Sequence, residues 1–206
     1  METRVGKKTP PVKSLADVAM EKAWTIEEKR PDDRKALFEA YFTAARLGKM
    51  EAMTNVGLHY LYGDGVRRDP KRSRMWTEKA SGLGDDVAAF NLGLAYELGK
   101  GVRKSLKKAN AYYETSAKGG YAEAQLALGY NYSNGVGLVP DPMRAFGWFR
   151  LAAKQGHASA SFNLGLMFEK GDGVPKSKAR AMRHFRDAAA LGHAKATRRM
   201  RKLEKA

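Results

Sequence analysis

Cysteine is absent from this chain of 206 residues, which excludes a disulfide framework, a thiolate metal site and a cysteine nucleophile. No apolar run approaches the roughly 18 residues that a membrane-spanning helix needs. The opening stretch, "METRVGKKTPPVKS", carries charge and Pro10-Pro11 in place of the apolar core of a secretory signal, so a soluble, cytoplasmic protein is expected. Histidine is scarce too. Of His59, His157, His184 and His193, two stand in the turn-like contexts "QGHA" and "LGHA", and no H-E-x-x-H motif accompanies them. No serine occupies a G-x-S-x-G elbow. These gaps predict a protein that is not an enzyme and that uses neither metal nor cofactor. Acid is also in short supply: 22 Asp and Glu face 38 Lys and Arg, a formal charge of +16. Such a surface favours acidic protein, nucleic acid or anionic membrane as partner. With 43% hydrophobic and 10% aromatic residues, the chain nonetheless has the material of a folded core.

What is abundant is glycine in register. Gly57, Gly93, Gly129 and Gly165 lie 36 residues apart, as do Tyr60, Tyr96, Tyr132 and Phe168. The turns "YGDGV", "LGKGV", "NGVGL" and "KGDGV" keep the same step, and Gly48, Gly84, Gly120, Gly156 and Gly192 close successive units. The run "GKGVRK" at 99–104 resembles a phosphate cradle, yet its lysine is replaced by Asp64, Val136 and Asp172 at the equivalent turns. A phosphate loop would not make that exchange, so the glycines belong to hairpin geometry. A fixed period near 36 residues predicts a repeat array.

Each unit reads as two helices. In the first, Ala88, Leu92 and Tyr96 share a stripe, and Gly93 leaves room for a neighbouring helix. The G-x-G turn ends that helix, and Asp69-Pro70, Ser105, Asp141-Pro142 and Ser177 cap the second one. In the second helix Ala145, Trp148, Phe149 and Ala152 form an apolar face, with Trp76, Tyr112, Trp148 and His184 as its core-filling column. One hairpin cannot bury such a face alone, whereas stacked hairpins can. The expected organisation is a flexible segment 1–13, a degenerate N-terminal capping repeat 14–48 in which Ala16 and Trp24 keep first-helix columns, four repeats over 49–193, and a basic capping helix 194–206 with Arg201 at the packing-glycine position.

The columns in "AFNLGLAYELGKGV" and "DPMRAFGWFRLAAKQG" resemble the Sel-one-like repeat family, which is related to the tetratricopeptide repeats. The resemblance implies an all-α, α/α superhelical solenoid that serves as a non-catalytic scaffold or adaptor, known in bacterial signalling, assembly and toxin neutralisation. By analogy with tetratricopeptide repeats, first helices would line a concave groove. That places Asn55, Leu58, Tyr62, Phe90, Asn91, Leu94, Leu126, Tyr130, Asn134, Phe162, Asn163 and Leu166 along it. The asparagines would fix the backbone of an extended peptide while Phe90 and Phe162 hold its side chains. The same columns also serve as repeat packing, and both readings stay open here.

Basic residues cluster elsewhere, after each turn. Arg72, Lys108, Arg144 and Arg180 form one column, joined by Arg103, Lys104 and Lys107, and the sequence shows no aromatic residues interleaved with them. The expected function is capture of an acidic protein or peptide, as an adaptor, inhibitor or immunity protein. The alternative is a nucleic-acid-associated protein that uses the basic edge.

Overall fold

The computed structural model describes residues 13–205, and among them the chain forms eleven α-helices and no strand. The expected flexible segment 1–13 lies, Lys13 apart, outside the described residues. No described helix is long and apolar enough to cross a membrane. The chain divides into two compact units that part after Trp76.

The first unit holds α1 (Leu15–Lys29), α2 (Arg34–Arg46), α3 (Met50–Tyr62) and the start of α4 (Pro70–Gly82). Ser14 and Asp17 begin α1 with a reciprocal capping box, and Asp17 pairs with Lys49 at the head of α3. α1 buries Ala19, Met20, Ala23 and Ile26. Trp24, expected in a packing column, is 52% exposed, and Ala16 is only partly buried. The reason is register. Residues 30–33 join α1 to α2, whereas residues 63–69 join α3 to α4, so α1 enters its hairpin three residues late relative to the repeat.

The second unit continues from α4 through α5 (Asp86–Leu98), α6 (Leu106–Gly119), α7 (Ala122–Asn134), α8 (Pro142–Lys154), α9 (Ala158–Lys170), α10 (Lys178–Ala190) and α11 (Ala194–Glu204). From α5 onward each helix packs on the next in chain order. Side-chain hydrogen bonds stitch the hairpins. Ser116 Oγ donates to the Asp86 carbonyl at 2.7 Å, Gln155 Nε2 donates to the Gly120 carbonyl at 2.8 Å, and Asn110 Nδ2 donates to the Val136 carbonyl at 2.8 Å.

The turn glycines have two duties. The first of each pair ends its helix in the left-handed region, as at Gly135 with φ +71°. The second is also at positive φ, and at two turns of this unit it lies against the preceding hairpin: a Cβ on Gly137 would sit 2.5 Å from Leu106 Cβ, and one on Gly173 would sit 2.7 Å from the Pro142 carbonyl carbon. Gly65 meets the Arg34 backbone in the same manner within the first unit. Beyond the turn, the N–H groups of Asp69, Ser105, Asp141 and Ser177 donate to the carbonyls of Tyr60, Tyr96, Tyr132 and Phe168 at 2.8–2.9 Å. Their side chains then cap the second helices as the sequence predicts.

The core of the second unit is built from rings seated on glycine. Tyr113, Phe149 and Phe185 are at most 2% exposed, and their rings lie where Cβ atoms on Gly93, Gly129 and Gly165 would come within 2.5 Å. Each such ring contributes about 1.5–3 kcal/mol through burial. The sequence reading assigns core filling to the preceding column. Trp76 fits that assignment, but Tyr112 and Trp148 are only partly buried. The relation that matters in this unit is a ring twenty residues after Gly93, Gly129 and Gly165, which a search for the larger side chain overlooks.

Candidate partner-binding surface

The proposed groove residues all stand on odd-numbered helices: Asn55, Leu58 and Tyr62 on α3, Phe90, Asn91 and Leu94 on α5, Leu126, Tyr130 and Asn134 on α7, and Phe162, Asn163 and Leu166 on α9. They divide into two groups by burial. Phe90 lies 5.5 Å from Tyr113 and 5.2 Å from Tyr121, ring centre to ring centre, and Leu94 packs on the same cluster. Phe162 stacks on His193 at 4.3 Å and lies 5.4 Å from Phe185, with Leu166 beside it. Leu126 packs on the Phe149 cluster. These side chains therefore couple one hairpin to the next. Tyr62, Tyr130 and Asn134 are exposed, Tyr130 by 56%. Asn91 and Asn163 are partly buried, and their side chains make no hydrogen bond among the described residues.

Other polar side chains of these first helices are paired within the chain. Tyr113 Oη donates to Glu97, and burial of the phenol together with that carboxylate raises the tyrosine pKa. Glu169, in the same column as Glu97, accepts two bonds of 2.7 Å from the Arg199 guanidinium on α11. Asn131 Nδ2 donates to Asn110 Oδ1 at 2.7 Å. No group of three or more histidine, aspartate or glutamate side chains capable of holding a metal occurs among the described residues.

The basic column departs from the sequence reading in one respect. Aromatic rings do underlie it: Arg72 lies 5.7 Å over Tyr60, Lys108 5.2 Å over Tyr96, Arg144 5.6 Å over Tyr132 and Arg180 5.5 Å over Phe168. These rings belong to the first helix of the same hairpin, each three positions before the first turn glycine. Sequence distance hides the pairing because each ring and its cation are separated by the whole turn. Arg72 and Arg144 also donate to the Tyr60 and Tyr132 hydroxyls and pair with the capping Asp69 and Asp141. At Lys108 and Arg180 the capping residue is serine, so no such carboxylate stands there. Arg103, Lys104 and Lys107 are exposed beside them. The cations thus cover the rings and fasten the second helix to the first.

Four consecutive segments, 51–85, 86–121, 122–157 and 158–193, match the model of the Sel1 repeat. The chain belongs to the Sel1 repeat family. Sel1 repeat proteins are in general protein-interaction scaffolds. Among solved structures, a protective antigen present in uropathogenic Escherichia coli strains and displaying an SLR fold is 27% identical, with a TM-score of 0.84 over 90% of this chain. The chain spans 40% of that antigen's length. A Sel1 repeat protein from Oxalobacter formigenes is 24% identical, with a TM-score of 0.78 over 90% of this chain and 74% of its own. An immunity protein from Pseudomonas aeruginosa shares the fold at 19% identity and a TM-score of 0.57, over 91% of this chain and 69% of its own. No curated protein shows significant sequence similarity to the chain.

Proposed function

We propose that this Sel1 repeat protein is a non-catalytic cytoplasmic scaffold that holds one acidic protein or peptide against the exposed face of its first helices, as an adaptor, inhibitor or immunity protein. The observation that carries this reading is the presence, on α5, α7 and α9, of exposed Tyr130 and Asn134 together with two asparagines, Asn91 and Asn163, whose side chains make no hydrogen bond among the described residues. Asparagine both donates and accepts, so Asn91 and Asn163 suit the backbone of an extended segment. Tyrosine supplies rigid contact area at little entropic cost. In this scheme the partly buried Phe90, Leu94, Leu126, Phe162 and Leu166 form the floor beneath the contact, Asn55, Leu58 and Tyr62 repeat the pattern on α3, and the basic column steers a negatively charged partner during encounter. Residues 14–48 act as the N-terminal cap of the array and 194–205 as its C-terminal cap.

The test is a comparison of variants against a purified partner first recovered from native-cell lysate. Asn91→Ala combined with Tyr130→Ala should weaken binding at least about thirtyfold, the loss of roughly 2 kcal/mol that marks a hot spot. The melting temperature should stay near that of the unmodified protein. Phe90→Ala is unsuitable for this purpose, because its ring packs on Tyr113 and Tyr121. Unchanged affinity in the double variant contradicts the reading.

A further inference from the structure

The charge of the chain is concentrated at one end. Between Lys176 and Lys205 eleven Lys and Arg residues face only Asp187 and Glu204. On α11 the distribution is ordered. Ala196 is buried, Met200 and Leu203 pack on the Phe168 and Phe185 cluster, and Arg199 turns inward to its two bonds with Glu169. These contacts fix how the helix is rotated about its axis. Lys195, Arg198, Arg201 and Lys202 are left exposed, and none of them joins an ion pair among the described residues. Lys195, Arg198 and Lys202 follow one another at intervals of three and four residues, a single stripe that rises about 5 Å per step. Lys205 extends it to about 15 Å.

We propose that this outer face of α11 binds the phosphate backbone of nucleic acid, independently of the first-helix surface and of the basic column beside the turns. Two observations select this occupant. The stripe is purely cationic: beyond Leu191 no large hydrophobic residue is exposed among the described residues. Specific protein interfaces are organised around apolar or aromatic anchors, which this face lacks. A phosphodiester backbone asks only for closely spaced cations and gains affinity from counterion release. The +16 charge of the whole chain opposes a second copy as occupant, since like surfaces repel.

Binding of a fluorescein-labelled 20-base-pair DNA duplex, followed by anisotropy from 50 to 200 mM NaCl, tests this. Lys195→Glu, Arg198→Glu and Lys202→Glu together should weaken binding at least about tenfold at 100 mM salt and lower the salt slope by about 0.9 for each cation lost. Lys195→Gln, Arg198→Gln and Lys202→Gln together, without introduced acid, should give the same slope change. The control is Lys22→Glu, Lys29→Glu and Lys35→Glu, three exposed positions on α1 and α2 that change net charge equally. It should stay within about twofold of the unmodified protein, well inside the tenfold effect expected at the stripe. Far-ultraviolet circular dichroism verifies that each variant is folded. Equal weakening by the control would reduce the effect to net charge and overturn the proposal. Absence of duplex binding by the unmodified protein would also overturn it. Displacement of the duplex by poly-glutamate at equal charge concentration would reassign the face to an acidic protein.

Discussion

The α1–α2 hairpin and the α5–α6 hairpin solve the same packing problem with different turns. In both, a tyrosine of the second helix donates to a glutamate of the first: Tyr41 to Glu27 at 2.9 Å, and Tyr113 to Glu97. Both tyrosines are buried and both have a raised pKa, through burial first and the carboxylate second. Yet residues 30–33 contain no glycine, while Gly99 and Gly101 both adopt positive φ. The difference shows what the G-x-G turn is for. Helix pairing within a hairpin does not require it. At three of the turns the second glycine admits the preceding hairpin: Gly65 meets Arg34, Gly137 meets Leu106 and Gly173 meets Pro142.

Gly65→Ala should therefore be among the most damaging single substitutions in the first unit. A Cβ there overlaps the Arg34 carbonyl and is held at φ +70°, a combination that costs about 2–4 kcal/mol in urea unfolding. Gly165→Ala should cost about 1–3 kcal/mol, because the Phe185 ring has only limited room to shift. If Gly65→Ala proves neutral, the stacking role of the second turn glycine is wrong. Tyr41→Phe and Tyr113→Phe should each cost about 1–2 kcal/mol. Near-equal losses would support the shared hairpin geometry, and a loss confined to Tyr113 would break the comparison.

The smallest effects are in pH dependence. The hydrogen bond and charge of Lys49, with help from Ser14, hold Asp17 at a pKa of about 2, below its ordinary value. This stabilisation of the first unit is complete above the unfolded carboxylate value and is lost as pH falls from about 4 to about 2. Asp17→Asn should flatten that part of an acid titration. His193 behaves in the opposite chemical sense: burial, with Lys195 nearby, lowers its pKa, so the folded state prefers the neutral ring stacked on Phe162. Its contribution is present above the unfolded value near 6.5 and declines as pH falls below it. Hydrogen exchange of α11 amides between pH 7 and pH 5, corrected for intrinsic rates, should show this loosening first.

Much of the architecture was legible because it rests on periodicity. The 36-residue step located the hairpins, the capping residues and the turn glycines, and each of these depends on chemistry local to a few residues. What escaped depends on distance across a turn or on register. Trp24 was misplaced because a shorter link shifts α1 by three residues. The rings beneath Arg72, Lys108, Arg144 and Arg180 were missed because twelve residues separate each pair. Among the proposed groove residues, spacing identified the helices that carry them, but could not separate exposed Tyr130 from Phe90, whose neighbour Tyr121 lies two helices on, at the head of α7. The Glu169–Arg199 pair was similarly invisible, since it joins α9 to α11 across an intervening helix.

Hydrogen exchange of the protein with and without its purified partner tests the central claim most directly. Protection should rise on α5, α7 and α9, greatest around Asn91, Tyr130 and Asn163, while α6, α8 and α10 exchange as in the free protein. Protection confined to α6, α8 and α10 would contradict the assignment of partner binding to the first helices.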